Sequence, residues 1–193
     1  NISSQFITGL LFALPLLSGD SIIELTSPLE SQGYIDLTIH ILKLYGIEII
    51  NHQYKQFIIR GRQEYKATNY RVEADFSQAA FYLVASALGN DVTLMDLNLD
   101  SLQGDKAVLD FLQAMNCTVQ KQDDGIKVIS HGLQSTVIDA SQCPDVIPVL
   151  SLALALSKGH SEVINAKRLR IKECDRLSAT VKELNTLGAH VIE

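Results

Sequence analysis

The 193-residue sequence has no excess of basic residues, few cysteines and no apolar run long enough to span a bilayer. Sixteen lysines and arginines stand against twenty-two aspartates and glutamates, which gives a net charge of −6. Such an acidic chain is a poor match for nucleic acid or for an anionic membrane, so the sequence predicts neither as a partner. Any anion-binding site must therefore be a local basic pocket.

The three cysteines, Cys117, Cys143 and Cys174, form no CxxC pair and no zinc spacing. This odd, scattered set indicates reduced thiols in a cytoplasmic protein, and no cluster of metal ligands is present. The opening run "FITGLLFALPLL" has no basic residues before it and is too short to span a bilayer. Because the chain lacks an initiator methionine and strand-like residues continue to Glu193, we expect a segment of a longer chain.

Hydrophobic residues make up 47% of the chain, and their pattern repeats three times. Apolar stretches end at Gly19, Gly89 and Gly159, and each is followed by a strand-like run and a second helix. Each unit then continues in extended structure, which in the third unit is the segment "AHVIE". The pattern predicts an α/β (α+β) fold with repeated helix, strand, helix, strand, strand units. The first helix of each unit is apolar nearly all round, which predicts burial on every side, whereas the second is amphipathic.

Polar residues at two helix starts are candidate site residues. Ser3, Ser4 and Gln5 open the first apolar helix, where a serine favours either an ordinary N-cap or an anion cradle built from free N–H groups. Asp75 and Asp145 open the matching helices of the other two units. A carboxylate there favours an N-cap, with a general base as the alternative.

Two further corners carry candidates. Ser31 and Tyr34 lie in "LESQGYID", before the second, amphipathic helix of the first unit. The tyrosine there either shields the core or presents its hydroxyl to a polyol. The corner "KRLRIKECDRL" places Lys172, Glu173 and Arg176 at the start of another helix, where the helix dipole disfavours cations. Four residues apart on one helix, Lys172 and Arg176 would share a face and repel, which favours an anionic ligand between them. A surface salt-bridge cluster is the alternative.

These motifs together resemble one enzyme family. "SSQF" opening an apolar helix, "PD" opening another and "LRIKECDRL" are similar to the 5-enolpyruvylshikimate-3-phosphate synthases (3-phosphoshikimate 1-carboxyvinyltransferases). The resemblance covers the whole chain and implies the family's inside-out barrel architecture of six repeats, present here in part. It implies that residues 1–66 are the last repeat of the N-terminal-type domain and residues 67–193 are two repeats of the C-terminal-type domain.

The resemblance also implies a reaction. The enolpyruvyl group of phosphoenolpyruvate is transferred to the 5-hydroxyl of shikimate 3-phosphate, phosphate is released, and no cofactor or metal is needed. The implied catalytic residues are Asp145, as the proton acceptor, and Glu173, as the acid/base at the methylene carbon. The implied substrate-binding residues are Ser3, Ser4, Gln5, Ser31, Tyr34, Asp145, Lys172 and Arg176.

Several features depart from the family pattern or leave alternatives open. Cys174 replaces the usual threonine or serine after the glutamate, and Arg168 stands where an asparagine is often found. About half of the family's cationic residues have no match, so we expect the segment alone to be inactive. The alternatives are a UDP-N-acetylglucosamine enolpyruvyl transferase and an inert repeat module. We expect a cytoplasmic monomer.

Overall fold

The computed structural model describes residues 4–122 and 125–193 and divides them into two units. The first unit runs to Val72 and includes Leu102–Gly104, and the second consists of Glu73–Ser101 and Asp105–Glu193. No helix within the two described ranges has the length and apolar character needed to cross a membrane. The assignment of the two units to different domain types remains a prediction.

The elements of the first two repeats follow the predicted order. The first repeat contains α1 (Ser4–Ala13), β1 (Ser21–Glu24), α2 (Gln32–Leu44), β2 (Ile49–His52) and β3 (Gln56–Ile59). The second contains α3 (Phe76–Ala87), β4 (Thr93–Met95), α4 (Ala107–Ala114), β5 (Cys117–Gln122) and β6 (Gly125–Ser130). The remaining elements are β7 (Val137–Asp139), α5 (Ile147–Ala155), β8 (Glu162–Ile164) and α6 (Arg176–Thr186). The predicted mixed helix and strand fold is therefore confirmed.

The first two repeats build the same sheet. In each, the last strand lies in the middle and pairs antiparallel with both others, giving the orders β1-β3-β2 and β4-β6-β5. β7 and β8 pair in parallel instead, with α5 between them in sequence. All three sheets of the described ranges are open, and none closes into a barrel.

Each sheet uses the alternation of its middle strand to bury one face. In the first unit, Phe57 and Ile59 of β3 point into a core that also holds Leu11 of α1 and Ile35 of α2. Because successive strand residues face opposite sides, every second residue of β3 joins the core. The second unit repeats this with Ile126 and Val128 of β6.

The third repeat is not completed by a strand from the residues after α6. The predicted strand "AHVIE" forms no ladder, and residues 189–193 have no regular structure. The side-chain amide of Asn185 takes the place of a strand neighbour at Val191. Its Oδ1 accepts from the Val191 N–H at 2.8 Å, and its Nδ2 donates to the Val191 carbonyl at 2.9 Å. One side chain thus satisfies both backbone groups of Val191 without a strand partner.

The prediction that the apolar helices are buried on every side is wrong. Phe6 of α1 is 72% exposed, and Phe81 and Tyr82 of α3 are each 58% exposed. Each helix packs its other side onto a core, through Ile7 and Leu11 in α1 for example. An all-round apolar sequence shows that a helix tolerates burial, but the packing of the chain decides which side is covered.

The three glycines that mark the repeat do not play one structural role. Gly89 follows directly after the C-cap of α3 with a φ of +99°, the left-handed conformation that favours glycine there. Gly159 has a φ of +100° but lies four residues beyond the end of α5, and Gly19 lies six residues beyond α1. The spacing of 70 residues therefore marks the repeat, although only Gly89 closes its helix.

A close backbone approach in the first unit gives a stability prediction. A Cβ atom on Gly61 would lie 2.3 Å from the carbonyl oxygen of Gly19, and the Gly61 N–H is bound by Asp20 at 3.0 Å. We expect Gly61→Ala to lower the free energy of unfolding by about 1–3 kcal/mol, because backbone must move to admit the methyl group. Urea denaturation measures the change.

Gly9 provides the matched control, because it is an exposed glycine within α1 and a Cβ there meets nothing within 4 Å. Gly9→Ala should stabilise by roughly 0.5–1 kcal/mol through the better helix propensity of alanine. Equal stability of the two variants would contradict the close approach of residues 19 and 61.

Candidate active-site cluster in the second unit

The charged corner of the second unit is a loop between two helical segments. A 3-10 helix, Ala166–Ile171, ends before Lys172, whose backbone is extended, and α6 begins at Arg176. The prediction that Lys172 and Arg176 share one helix face is therefore wrong, because Lys172 lies before the helix. The two cations instead approach each other through a carboxylate on another element.

That carboxylate belongs to Asp145, which lies in the 3-10 turn Pro144–Val146 before α5. Its Oδ1 accepts a hydrogen bond from Lys172 Nζ at 2.9 Å and another from Arg176 Nη1 at 2.7 Å. The N-cap interpretation does not hold for Asp145. It holds for Asp75, whose side chain accepts from the Ser77 N–H at 2.8 Å and caps α3.

Glu173 binds the other edge of the same guanidinium. Arg176 Nε donates to Glu173 Oε1 at 2.7 Å, and Arg176 Nη2 donates to Oε2 at 2.8 Å. This two-point pair is the geometry in which arginine binds carboxylates most specifically. The hydrogen bond from Arg176 is the main cause that holds the pKa of Glu173 below its ordinary value, so the carboxylate is ionised at neutral pH.

The cluster explains why cations are tolerated at the start of α6. Asp145 and Glu173 neutralise Lys172 and Arg176, and Asp175 caps the helix by accepting from the Ser178 N–H at 3.1 Å. The three carboxylates around this N-terminus also interact favourably with the helix dipole. The anion that the sequence predicts between the two cations is, in this structure, a side chain of the protein.

Cys143, two residues before Asp145, is not a nucleophile of this cluster. Its side chain is buried, and the burial, with smaller contributions from nearby aspartates, raises the pKa of the thiol to about 12. A thiol with so high a pKa carries almost no thiolate at neutral pH.

The remaining predicted residues lie in the first unit, apart from Ser3, which is outside the described residues. Ser4 is the first residue of α1 and is buried, whereas Gln5 beside it is exposed. Ser31 is buried at the start of α2 with a left-handed φ of 55° and makes no side-chain cap. Its carbonyl accepts from the N–H of Tyr34, which lies half-buried in the first turn of α2.

Arg170 and Asp175 lie beside the cluster, and neither is among the site residues predicted from the sequence. Arg170 Nη1 donates to Asp175 Oδ2 at 2.9 Å and to Ser178 Oγ at 3.0 Å. An aspartate three residues before a serine at a helix start is a recognisable capping signal in "DRLS". The contribution of Arg170 has no such local signal, because it depends on how the loop folds.

The ion pair between Glu173 and Arg176 gives a titration prediction. Arg176→Gln removes the guanidinium that favours the ionised carboxylate, so the pKa of Glu173 should rise towards the ordinary value for glutamate. Because the pKa of the folded protein is lowered, the pair stabilises the fold above the ordinary glutamate pKa and loses this effect as the pH falls through the folded value. Carbon-detected NMR titration of the glutamate side chains measures the shift.

Lys127→Gln is the matched control. Lys127 lies in the same unit and lowers the pKa of Asp91 through an ion pair of its own. This variant should raise the pKa of Asp91 and leave Glu173 unchanged, whereas Arg176→Gln should do the reverse. A Glu173 pKa that does not respond to Arg176→Gln would contradict the two-point pair.

Known proteins of one family match this chain along its whole length. The family model for EPSP synthase (3-phosphoshikimate 1-carboxyvinyltransferase) matches residues 1–193. The 3-phosphoshikimate 1-carboxyvinyltransferase of Clostridium beijerinckii is 61% identical over 194 residues, covering 100% of this chain and 45% of its own length. That of Clostridioides difficile is 57% identical and covers 100% and 44%. The chain thus spans less than half the length of these curated relatives.

Two solved structures share the fold. EPSP synthase from Acinetobacter baumannii matches with a TM-score of 0.74 at 24% identity, covering 95% of this chain and 43% of that one. The enolpyruvyl transferase NikO from Streptomyces tendae matches with a TM-score of 0.56 at 17% identity, covering 78% and 37%. At these low identities the two structures establish only the fold. The family model covers every residue of the chain, and the chain therefore belongs to the EPSP synthase family.

Proposed function

We propose that a full-length protein carrying these residues transfers the enolpyruvyl group of phosphoenolpyruvate to the 5-hydroxyl of shikimate 3-phosphate and releases phosphate. Family membership supports this reaction. The observation that carries it is the convergence of Lys172 and Arg176 on one oxygen of Asp145, with Glu173 on the same guanidinium. A base, a second carboxylate and two cations within one cluster are the groups that this addition and elimination requires.

Each member of the cluster has a proposed role. Asp145 accepts the proton of the 5-hydroxyl while the hydroxyl oxygen attacks carbon 2 of phosphoenolpyruvate. Glu173 donates a proton to the methylene carbon. The resulting tetrahedral ketal then loses phosphate, and its methyl group returns a proton to Glu173, which regenerates the double bond. Lys172 and Arg176 bind the negative charges of the substrates.

Substrate anions must compete with the protein's own carboxylates. Lys172 and Arg176 both donate to Asp145 in this structure, and Arg176 also holds Glu173. A substrate carboxylate or phosphate that takes over Arg176 removes the contact that lowers the pKa of Glu173. Glu173 then accepts a proton more readily, as a general acid needs. Binding of the donor and preparation of the acid are coupled through one guanidinium.

The first-unit residues have a proposed binding role. Ser3, Ser4 and Gln5 form the shikimate 3-phosphate cradle, and Ser31 and Tyr34 make further contacts to that substrate. The similarity of "SSQF" to the motif of the family supports this cradle. We also infer a cytoplasmic monomer that uses no cofactor.

One experiment distinguishes this function from the two alternatives, a UDP-N-acetylglucosamine enolpyruvyl transferase and an inert repeat module. The full-length protein is assayed for phosphate release from phosphoenolpyruvate with shikimate 3-phosphate or with UDP-N-acetylglucosamine as acceptor. The 193-residue chain is assayed alone and together with the missing flanking segments. Release with shikimate 3-phosphate only, restored to the chain by complementation, supports the proposal. Release with the UDP-sugar favours the sister transferase, and no release in any mixture favours an inert module.

Asp145→Asn tests the proposed base. The substitution keeps the shape of the side chain, so we expect a folded protein whose kcat falls by about 10²–10⁴-fold, the usual contribution of a general base. It also removes the carboxylate that occupies both cations, so inorganic phosphate should bind several-fold more tightly. Steady-state kinetics and calorimetric titration with phosphate measure the two effects.

Asp91→Asn is the control for this variant, because Asp91 is a carboxylate of the same unit that forms an ion pair with Lys127, outside the cluster. It should change neither kcat nor phosphate affinity. Turnover at the normal rate in Asp145→Asn would show that another group accepts the proton.

Arg176→Lys tests the proposed grip on phosphoenolpyruvate. Lysine keeps the positive charge but loses the planar fork that binds Glu173 and Asp145 at the same time. The KM for phosphoenolpyruvate should rise by roughly tenfold, which corresponds to about 1.4 kcal/mol. An unchanged KM for this substrate, measured at saturating shikimate 3-phosphate, would refute the assignment of Arg176.

A further inference from the structure

A second ion pair closes the loop that carries the candidate site residues. Arg170 ends in a guanidinium whose Nη1 lies 2.9 Å from Asp175 Oδ2, five residues further along the chain. Lys172 and Glu173 lie in the loop between these two residues, and Arg176 follows directly after Asp175. The ion pair therefore joins the two ends of the short segment that carries Lys172 and Glu173, and it adjoins Arg176.

Both ends of this ion pair are tied to further structure. Asp175 Oδ1 accepts from the Ser178 N–H at 3.1 Å, and its Oδ2 accepts from Ser178 Oγ at 3.3 Å, so the carboxylate is fixed to the first turn of α6. Arg170 Nη1 also donates to Ser178 Oγ at 3.0 Å, and its Nη2 donates to Glu193 Oε2. Three acceptors thus orient one guanidinium, which the fixed fork of arginine allows and a lysine ammonium does not reproduce.

The loop itself has little regular structure to hold it. Residues 172–175 lie between the 3-10 helix and α6 and belong to neither. Lys172 and Glu173 must nevertheless present their charged groups at defined distances from Asp145 and Arg176. Groups that take part in catalysis lose much of their effect when they move by about 1 Å, at a cost of up to ~10²-fold in rate.

We propose that Arg170 is a positioning residue that acts through Asp175 to hold the loop of residues 172–175, and thereby Lys172 and Glu173, in the geometry that binds phosphoenolpyruvate. This inference rests on the function proposed above. Arg170 is assigned no chemical step and no substrate contact.

The competing interpretation is a surface ion pair without functional effect. The side chains of Arg170 and Asp175 are 40% and 39% exposed, and ion pairs at such positions contribute little to stability. The two interpretations predict different measurements. A positioning residue changes substrate binding while the melting temperature stays nearly constant, whereas a surface pair of no consequence changes neither.

Arg170→Gln in the full-length protein tests the proposal. We expect the KM for phosphoenolpyruvate to rise about tenfold, below the ~10²-fold limit for a misplaced group, with a change in melting temperature within ~2 °C. Hydrogen–deuterium exchange of the amides of residues 172–175 should become faster. Arg170→Lys keeps a charge near Asp175 and should recover part of both effects.

Lys127→Gln is the matched control, because it breaks another exposed ion pair of the same unit and should leave KM and loop exchange unchanged. The proposal is overturned if Arg170→Gln leaves both measurements unchanged. It is also overturned if kcat and melting temperature fall together at constant KM, which indicates a structural role. If the unsubstituted protein shows no transferase activity, the proposed function fails, and loop exchange alone then decides whether Arg170 holds the loop.

Discussion

The double ion pair at Asp145 is the interaction on which the candidate site depends. Lys172 and Arg176 approach each other closely enough to donate to the same oxygen, and without the carboxylate between them their charges would repel. Asp145 comes from the turn before α5, whereas the two cations come from the corner before α6. One side chain thus joins two helix starts and fixes the spacing of the charged groups. A residue that is proposed as a base therefore also holds the site together.

The order of elements could be predicted from the sequence because the repeat and the alternation of apolar residues are local signals. Helices, strands and the turn glycine at Gly89 follow from spacing alone. The environment of the helices could not be predicted in this way. Phe81 and Tyr82 have the composition of core residues but lie exposed, since the neighbours of a helix come from distant parts of the chain. The missing strand at the end has the same cause, because a strand needs a partner and Asn185 satisfies Val191 instead.

For the candidate site, residue types were predictable and contacts were not. The charge pattern of the corner singles out Lys172, Glu173 and Arg176, and the pattern of helix starts singles out Asp145. The helical spacing of Lys172 and Arg176 suggested repulsion on one face, yet a loop separates them and a carboxylate 27 residues from Lys172 joins them. Such a long-range contact leaves no local trace. The contact of Arg170 leaves no local trace either. Its partner Asp175 is near in sequence, but the two side chains meet only because the loop turns back.

The order of strands in the first two sheets has a consequence for synthesis on the ribosome. In both, the middle strand is the last to be translated, so β1 and β2, or β4 and β5, have no partner until β3 or β6 emerges. Each sheet therefore assembles in one step when its final hairpin closes, and a nascent chain that stops short of that hairpin lacks that sheet. A ribosome pause after β3 or β6 has emerged leaves a complete sheet outside the ribosome, whereas a slightly earlier pause leaves two unpaired strands open to aggregation.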